Sequence, residues 1–391
     1  MKKALAIAGL SAVLIAALIV SVKPQSGVSA SPGLAGGGSR LSQLLSDDGV
    51  AGYATATEPR IFSFPEDHGP HPRFRNEWWY LTGNLDGQNG ERFGFELTIF
   101  RFLLAPPSER TRASRWHTDQ IYIGHFAITD VDNEKFHAAQ RFSRDTMGLA
   151  GARAEPFHVW VEDWSIAARP GADRTWRIRA ADQDVLLDLN VTPLKPPVLN
   201  GENGLSTKSA QPGNASYYYS VSRLQTEGIL TIGTRQFTVH GLSWLDREWS
   251  SSALSADQVG WDWFALQLDD GSDLMFYQLR GPNGSRDPFS AGTWISRSGE
   301  SVYLDASEIG IEIVNFWDSP LGGRYPSGWQ VNVPGLGLQL DVQPVFGDQE
   351  LSATVRYWEG AVDVSGNKNG EKLGGRGYVE LTGYAQISVR E

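Results

Sequence analysis

The chain has 391 residues, no cysteine and a formal net charge of −11. The acidic balance repels nucleic acid and anionic membrane surfaces, and the missing thiols exclude a disulfide framework, a thiolate metal site, a thiol nucleophile and a lipid-attached terminus. The 14 Trp, 12 Tyr and 17 Phe can fill barrel cores and still leave a surplus to line a cavity for an apolar ligand.

Lys2 and Lys3 precede an apolar run from Ala4 to Val22, and Val28-Ser29-Ala30 supplies small residues for a signal-peptidase cut. Residues 1–30 therefore read as an export signal to the periplasm or beyond. The apolar run is also long enough to stay as an N-terminal membrane anchor, so residues 4–22 leave that alternative open. Removing residues 1–30 takes Lys2, Lys3 and Lys23 with them and makes the remainder more acidic still. Residues 31–57 are small and polar and read as a flexible lead-in.

Helix signals are scarce after this point. Asn76 to Leu85, the turn DGQNG at 86–90 and Arg92 to Phe102 form a hairpin pattern of aromatic and β-branched runs around a Gly-containing turn. Short strands are expected at 120–131, 157–167, 175–181, 185–192, 217–225, 228–232 and 235–248. They make an antiparallel meander. The two long connections at 105–119 and 195–216 are rich in Pro, Gly, Ser and Asn and read as lids.

The second half restarts with the same plan. Trp261 to Leu268, the turn DDGSD at 269–273 and Leu274 to Arg280 form another aromatic hairpin, followed by strands expected at 292–296, 301–304, 309–316, 328–333, 338–344, 354–364 and 377–389. The repeat of plan predicts an all-β protein of two tandem antiparallel β-barrels, residues 58–252 and 253–391.

The stretch from Val239 to Ser252 is the chemical centre of the chain. Strand alternation puts His240, Leu242, Trp244, Asp246 and Glu248 on one face, a wall too polar for an ordinary core and too aromatic for an ordinary surface. Three roles stand open for Asp246-Arg247-Glu248: interdomain ion pairs, ligand orientation or catalysis. Glu77, beside Trp78 and Trp79, is either a structural carboxylate paired with Arg247 or part of the same site. His125 shares a face with Ile121 and Ile123 and reads as a hydrogen-bonded core histidine. His68 and His71 sit in a Pro-Gly turn without a third ligand, so no metal is expected. There is no G-x-S-x-G turn to support a serine nucleophile.

The segments NEWWYLTGNL, IGHFAITDV, LSWLDREWSSSAL, GWDWFALQLDDG, AGTW, YWEGAVDVSG and GYVELTGY together resemble the lipocalin-like family that contains the carotenoid 1,2-hydratases (hydroxyneurosporene synthases) and the AttH proteins. Secreted members are often labelled predicted hydrolases. The likeness spans residues 62–389 and implies two lipocalin-like β-barrels packed together, a hydrophobic terpenoid- or lipid-like ligand, and no cofactor. In the hydratase branch the strand corresponding to Val239 to Ser252 carries an Asp with Tyr and His neighbours. Here the Asp carries over as Asp246, and its neighbours differ.

Hydrating an alkene needs an acid to protonate one carbon, surroundings that tolerate a carbocation, and water at the other carbon. Asp246 fits the proton donor. Trp244, Trp261 and Trp263 provide apolar walls that raise a carboxyl pKa and ring faces that stabilise a cation. His240 or Glu248 can take the proton from water, and Tyr277 can hydrogen-bond Asp246 if the halves meet there. Asp246 and Glu248 also have a spacing of ~6.5–7 Å, which suits glycoside hydrolysis, but both lie on one side of any substrate. The competing class is a non-catalytic carrier of a lipophile, or a pericyclase that folds and shields a polyene.

Overall fold

The computed structural model describes residues 50–385 apart from 108–113, 115, 172–173 and 253. The export segment, the lead-in up to residue 49, part of the 105–119 connection and the chain beyond 385 lie outside the described residues. Residues 50–57, the end of the stretch read as a lead-in, lie on the first barrel. Ala54 N donates to Arg73 O at 2.9 Å and Ala56 is buried in the core.

All strand pairing among the described residues is antiparallel. The first sheet runs in space from Lys135–Arg144 through Gln120–Asp130, Arg92–Leu103, Asn76–Gly87, Arg235–Ser250 and Ala215–Ile232 to Val185–Pro193, Trp176–Asp182, Trp164–Ala168, His158–Val161 and Ala150–Arg153. Its edges come close to one another, so the barrel is nearly closed. The second sheet is a half-barrel running from Ser301–Asp305 through Ala291–Ile295, Asp273–Arg280, Gly260–Leu268, Glu371–Leu381, Arg356–Lys368, Leu338–Pro344 and Trp329–Val333 to Gly310–Ile313. Each half places its opening strand, Asn76–Gly87 or Gly260–Leu268, between its own hairpin partner and its last long strand. That shared connectivity is the structural form of the repeated aromatic hairpins.

The two sheets meet face to face, and this decides the burial of the hub strand, Arg235–Ser250. Leu245 and Trp249 enter the first barrel core, while Trp244 packs in the cluster between the halves. Residues 243–250 are therefore buried on both faces, whereas the outer end alternates between buried Phe237 and Val239 and exposed neighbours. On Asn76–Gly87, Trp79, Leu81 and Leu85 fill the core, and Tyr80 and Asn84 reach across. Tyr80 Oη donates to Glu359 Oε2 at 2.8 Å and Asn84 Nδ2 to Gly377 O at 3.0 Å. Lys195 Nζ adds a buried ion pair to Asp273 Oδ2 at 2.6 Å.

Several strand boundaries differ from expectation. The 217–225 and 228–232 runs are one strand, Ala215–Ile232, with an irregularity between Val221 and Leu224 that absorbs the break in pattern. The 157–167 run is two strands, because Glu162 at φ +57° turns the chain. Strands Lys135–Arg144 and Ala150–Arg153 were not foreseen. Among the described residues the last strand is Glu371–Leu381, where 377–389 was expected; Gly383 at φ +77° breaks the alternation after Leu381, and residues 386–389 lie outside the described residues. A Cβ at Gly383 would lie 2.3 Å from Val259 O, so the turn depends on glycine. The 195–216 connection carries two short strands, Val198–Leu199 and Leu205–Thr207, against Ala215–Ile232.

Candidate functional site

Where the sheets face each other they leave a pocket of about 70 Å³. Its apolar walls are Trp78, Tyr80, Tyr218, Trp261, Trp263 and Tyr277, and its charged groups are Lys208, Asp246, Glu248, Glu359 and Glu380. Alternation along Arg235–Ser250 brings Asp246 and Glu248 to this side, and the same rule on Ala215–Ile232 brings Tyr218 and Ser220.

Asp246 is 3% exposed. Its Oδ1 accepts from Ser220 Oγ at 2.5 Å and Trp244 Nε1 at 2.6 Å, and its Oδ2 accepts from Tyr218 Oη. Trp263 Nε1 in turn donates to Tyr218 Oη at 3.1 Å, which links the second half to the acid. Burial pushes the Asp246 pKa up to about 7, and the three hydrogen bonds only partly oppose it.

Glu248 accepts from Ser216 Oγ and lies 3.3 Å from Lys208 Nζ. The ammonium also sits 4.0 Å from the centre of the Tyr277 ring. Burial works against the Lys208 charge, yet Glu248 and Tyr277 outweigh it and hold the lysine above its ordinary pKa.

The facing sheet supplies two further acids. Glu359 and Glu380 are cross-strand neighbours on Arg356–Lys368 and Glu371–Leu381. Burial raises Glu380 to about 8 against a hydrogen bond from Trp261, and burial reinforced by Glu380 and Glu96 raises Glu359 well above the usual carboxylate range. Glu96 is buried between the sheets, and that burial pushes it too up to about 8.

The structure gathers Trp78, Trp244, Trp261, Trp263, Asp246, Glu248 and Tyr277 around the pocket, and it separates three expected members. His240 is exposed at the outer end of the hub strand, paired in register with Asp86 and Glu227. Six residues at ~3.3 Å each put it ~20 Å from Asp246, so it cannot serve as the base there. Glu77 faces the first barrel core, where it is paired with both Arg101 and Arg247. This is the structural role left open above. Trp79 lies on that same core side beneath the Arg247 guanidinium, 3.9 Å from the ring centre. Tyr277 lines the pocket, but its hydroxyl meets Ser206 Oγ at 2.9 Å and Tyr218 holds Asp246 in its place.

His125 is a buried core histidine between Tyr357 Oη and Gln140. His71 stacks on Trp249 with ring centres 3.6 Å apart and hydrogen-bonds Asp67 and Glu77. Among the described residues no group of three or more His, Asp and Glu side chains is placed to hold a metal ion. A larger cavity of about 500 Å³ opens on the other face of Ala215–Ile232, lined by Phe64, His68, Phe157, Trp176, Pro193 and Val221. It contains no counterpart of the Asp246 network.

A nearly closed antiparallel barrel joined to a half-barrel, with an acid-bearing aromatic pocket between them, defines a lipocalin-like two-barrel protein. Within that class the chain belongs to the AttH-like family, whose family model matches residues 55–384. Among solved structures it is similar to a candidate AttH from Nitrosomonas europaea, with 34% identity, a TM-score of 0.76, and coverage of 85% of this chain and 100% of that one. It is also similar to kievitone hydratase from Nectria haematococca, at 16% identity and a TM-score of 0.64 over 85% of this chain and 97% of that one. A third is CghA with Sch210972, at 13% identity and a TM-score of 0.50 over 86% and 97%. The last two share the fold. No curated protein matches the sequence.

Proposed function

We propose that this chain is an exported, cofactor-free, hydratase-like protein that takes the unsaturated end of a terpenoid- or lipid-like molecule into the pocket between its halves. The carrying observation is Asp246, a buried carboxyl raised to about 7 among Trp244, Tyr218 and Trp263. A carboxyl that keeps its proton near neutral pH, surrounded by aromatic faces, is suited to protonate an alkene and stabilise the resulting cation. Likeness in fold to a hydratase agrees with this reading. The free space of about 70 Å³ admits only the end of a ligand, so the bulk of the molecule stays outside.

Asp246→Asn tests the role. Asn keeps the volume, accepts from Ser220 and Trp244, and can donate to Tyr218, but it cannot deliver a strong-acid proton. Hydration of an acyclic terpenoid alkene is expected to fall by at least ~100-fold with the melting temperature nearly unchanged. A wild-type protein that binds such a ligand and never adds water to it would establish a non-catalytic lipophile carrier instead. Export is tested separately by N-terminal sequencing of protein from native cells, which is expected to begin at Ser31.

A further inference from the structure

Two carboxyls of the pocket have no part in the proton donation assigned to Asp246. Glu359 and Glu380 stand directly opposite each other on adjacent strands, an arrangement that is unfavourable when both side chains are ionised. The charges acting on them are other carboxylates, Glu96 on both and Asp246 and Glu248 on Glu380. Glu359 is fully buried, its Oε2 is taken by Tyr80, and its Oε1 has no hydrogen-bond partner among the described residues. A buried acceptor left unpaired in a pocket wall calls for a donor from whatever fills the pocket.

We propose that the Glu359–Glu380 pair is the water-holding side of the reaction centre: it hydrogen-bonds the water that adds to the alkene and accepts the proton which that water loses. This rests on the hydratase reading of the same pocket. Glu380, raised to about 8, is ionised in a minority of molecules at neutral pH, and in these the pair carries one shared proton, which relieves the repulsion, and keeps one oxygen free to accept another. In the reaction the Asp246 O–H bond breaks, and its proton forms a C–H bond with one alkene carbon through the π pair. The neighbouring carbon becomes cationic. A lone pair of the held water forms the C–O bond, one O–H bond of that water breaks with its electrons staying on oxygen, and the proton passes to the carboxyl pair. The pair then returns one proton to Asp246 through solvent. The balance is alkene plus water giving alcohol, with no oxidant or reductant.

The test uses geraniol, whose trisubstituted terminal alkene suits the pocket, in deuterated water and in water with a heavy-oxygen label, on wild type, Glu359→Gln and Glu380→Gln. Glutamine keeps volume and hydrogen bonding and removes proton acceptance. Heavy-oxygen incorporation is expected to fall by at least ~100-fold in the variants, while deuterium exchange into the probe, which needs only the protonation by Asp246 and its reversal, falls far less. Hydration at the wild-type rate in both variants, or equal loss of hydration and exchange, overturns the water-side role and leaves the hydratase reading standing. A wild type that neither hydrates nor exchanges the probe overturns both. Should the variants fail to fold, a crystal structure of the wild type decides: an ordered water bridging Glu359 Oε1 and Glu380 supports the proposal, and its absence overturns it.

Discussion

Asp246 and Arg247 are neighbours in sequence and serve opposite sides of one strand. Asp246 looks into the pocket, whereas Arg247 looks into the first barrel and, with Arg101, encloses Glu77, all three side chains being fully buried. Burial alone would raise the Glu77 pKa, but the two guanidiniums reverse it and hold the carboxyl well below its usual range. Glu77→Gln strands two buried cations, and removing one member of a buried ion network costs about 3–5 kcal/mol. We expect that loss in the urea unfolding free energy, with ligand affinity of the folded fraction unchanged. A drop in affinity without a drop in stability would instead put Glu77 in the site. Strand alternation made Trp244, Asp246 and Glu248 legible as one face. His240 obeys the same alternation and still misses, because periodicity gives the face and not the distance along it. Glu359 and Glu380 were hidden for a different reason: in GYVELTGY the glutamate falls on the face that carries Tyr378 and Thr382, which reads as a solvated polar side until the other half is seen to cover it. Tyr218 sits in a run of three tyrosines, and Lys208 in a segment read as a lid. Neither announces its contact with residues far along the chain.

At the scale of elements, the two aromatic hairpins were readable because each combines a Gly-containing turn with strands of aromatic and β-branched residues. Their packing against each other was not, since face-to-face contact between sheets leaves no periodic signature. It leaves small residues instead. A Cβ on Gly94 would lie 2.7 Å from Ala361 Cβ and 3.2 Å from Thr129 Cβ, so Arg92–Leu103 approaches the second half as closely as it does only because position 94 has no side chain. Gly94→Val should force the sheets apart and destabilise the protein by about 1–3 kcal/mol, the usual penalty of overpacking. The pocket should loosen with it, seen as weaker ligand binding at temperatures where the variant is folded. Adding Ala361→Gly removes the clashing methyl and should restore part of both losses. Additive damage in the double variant would mean that the two positions are not in contact.

For the whole molecule, the carboxyls between the halves set the dependence of stability on pH. Glu96 and Glu380 are raised to about 8 and Asp246 to about 7, and Glu359 and, inside the second half, Asp262 are raised too, burial being the largest cause in every case. In the unfolded chain these groups release their protons near pH 4–4.5. From there to about 8 the folded state holds more protons than the unfolded one, so stability falls as pH rises through that window, by about 1.4 kcal/mol per pH unit for each proton still retained. His68 and His125 act in the opposite sense. Burial lowers both to about 4 and lowers His158 as well, so in the unfolded chain these histidines bind protons up to about 6.5 that the folded state refuses, and stability from them rises as pH climbs towards 6.5. Glu77, held low, withdraws its contribution as pH falls below about 4.5. Five raised carboxyls outweigh three lowered histidines, so the melting temperature should peak in mild acid, near pH 5, and decline most steeply between about 6.5 and 8, where the histidines no longer compensate. Glu96→Gln combined with Glu380→Gln removes two of the titrating groups while keeping their volume, and should flatten the decline above pH 6.5 without moving the acid limb. A melting temperature that climbs from pH 5 to 8 in the wild type would mean that these carboxyls are ionised in the folded protein, and that the contact between the halves is held by charge pairs such as Lys195–Asp273 despite them.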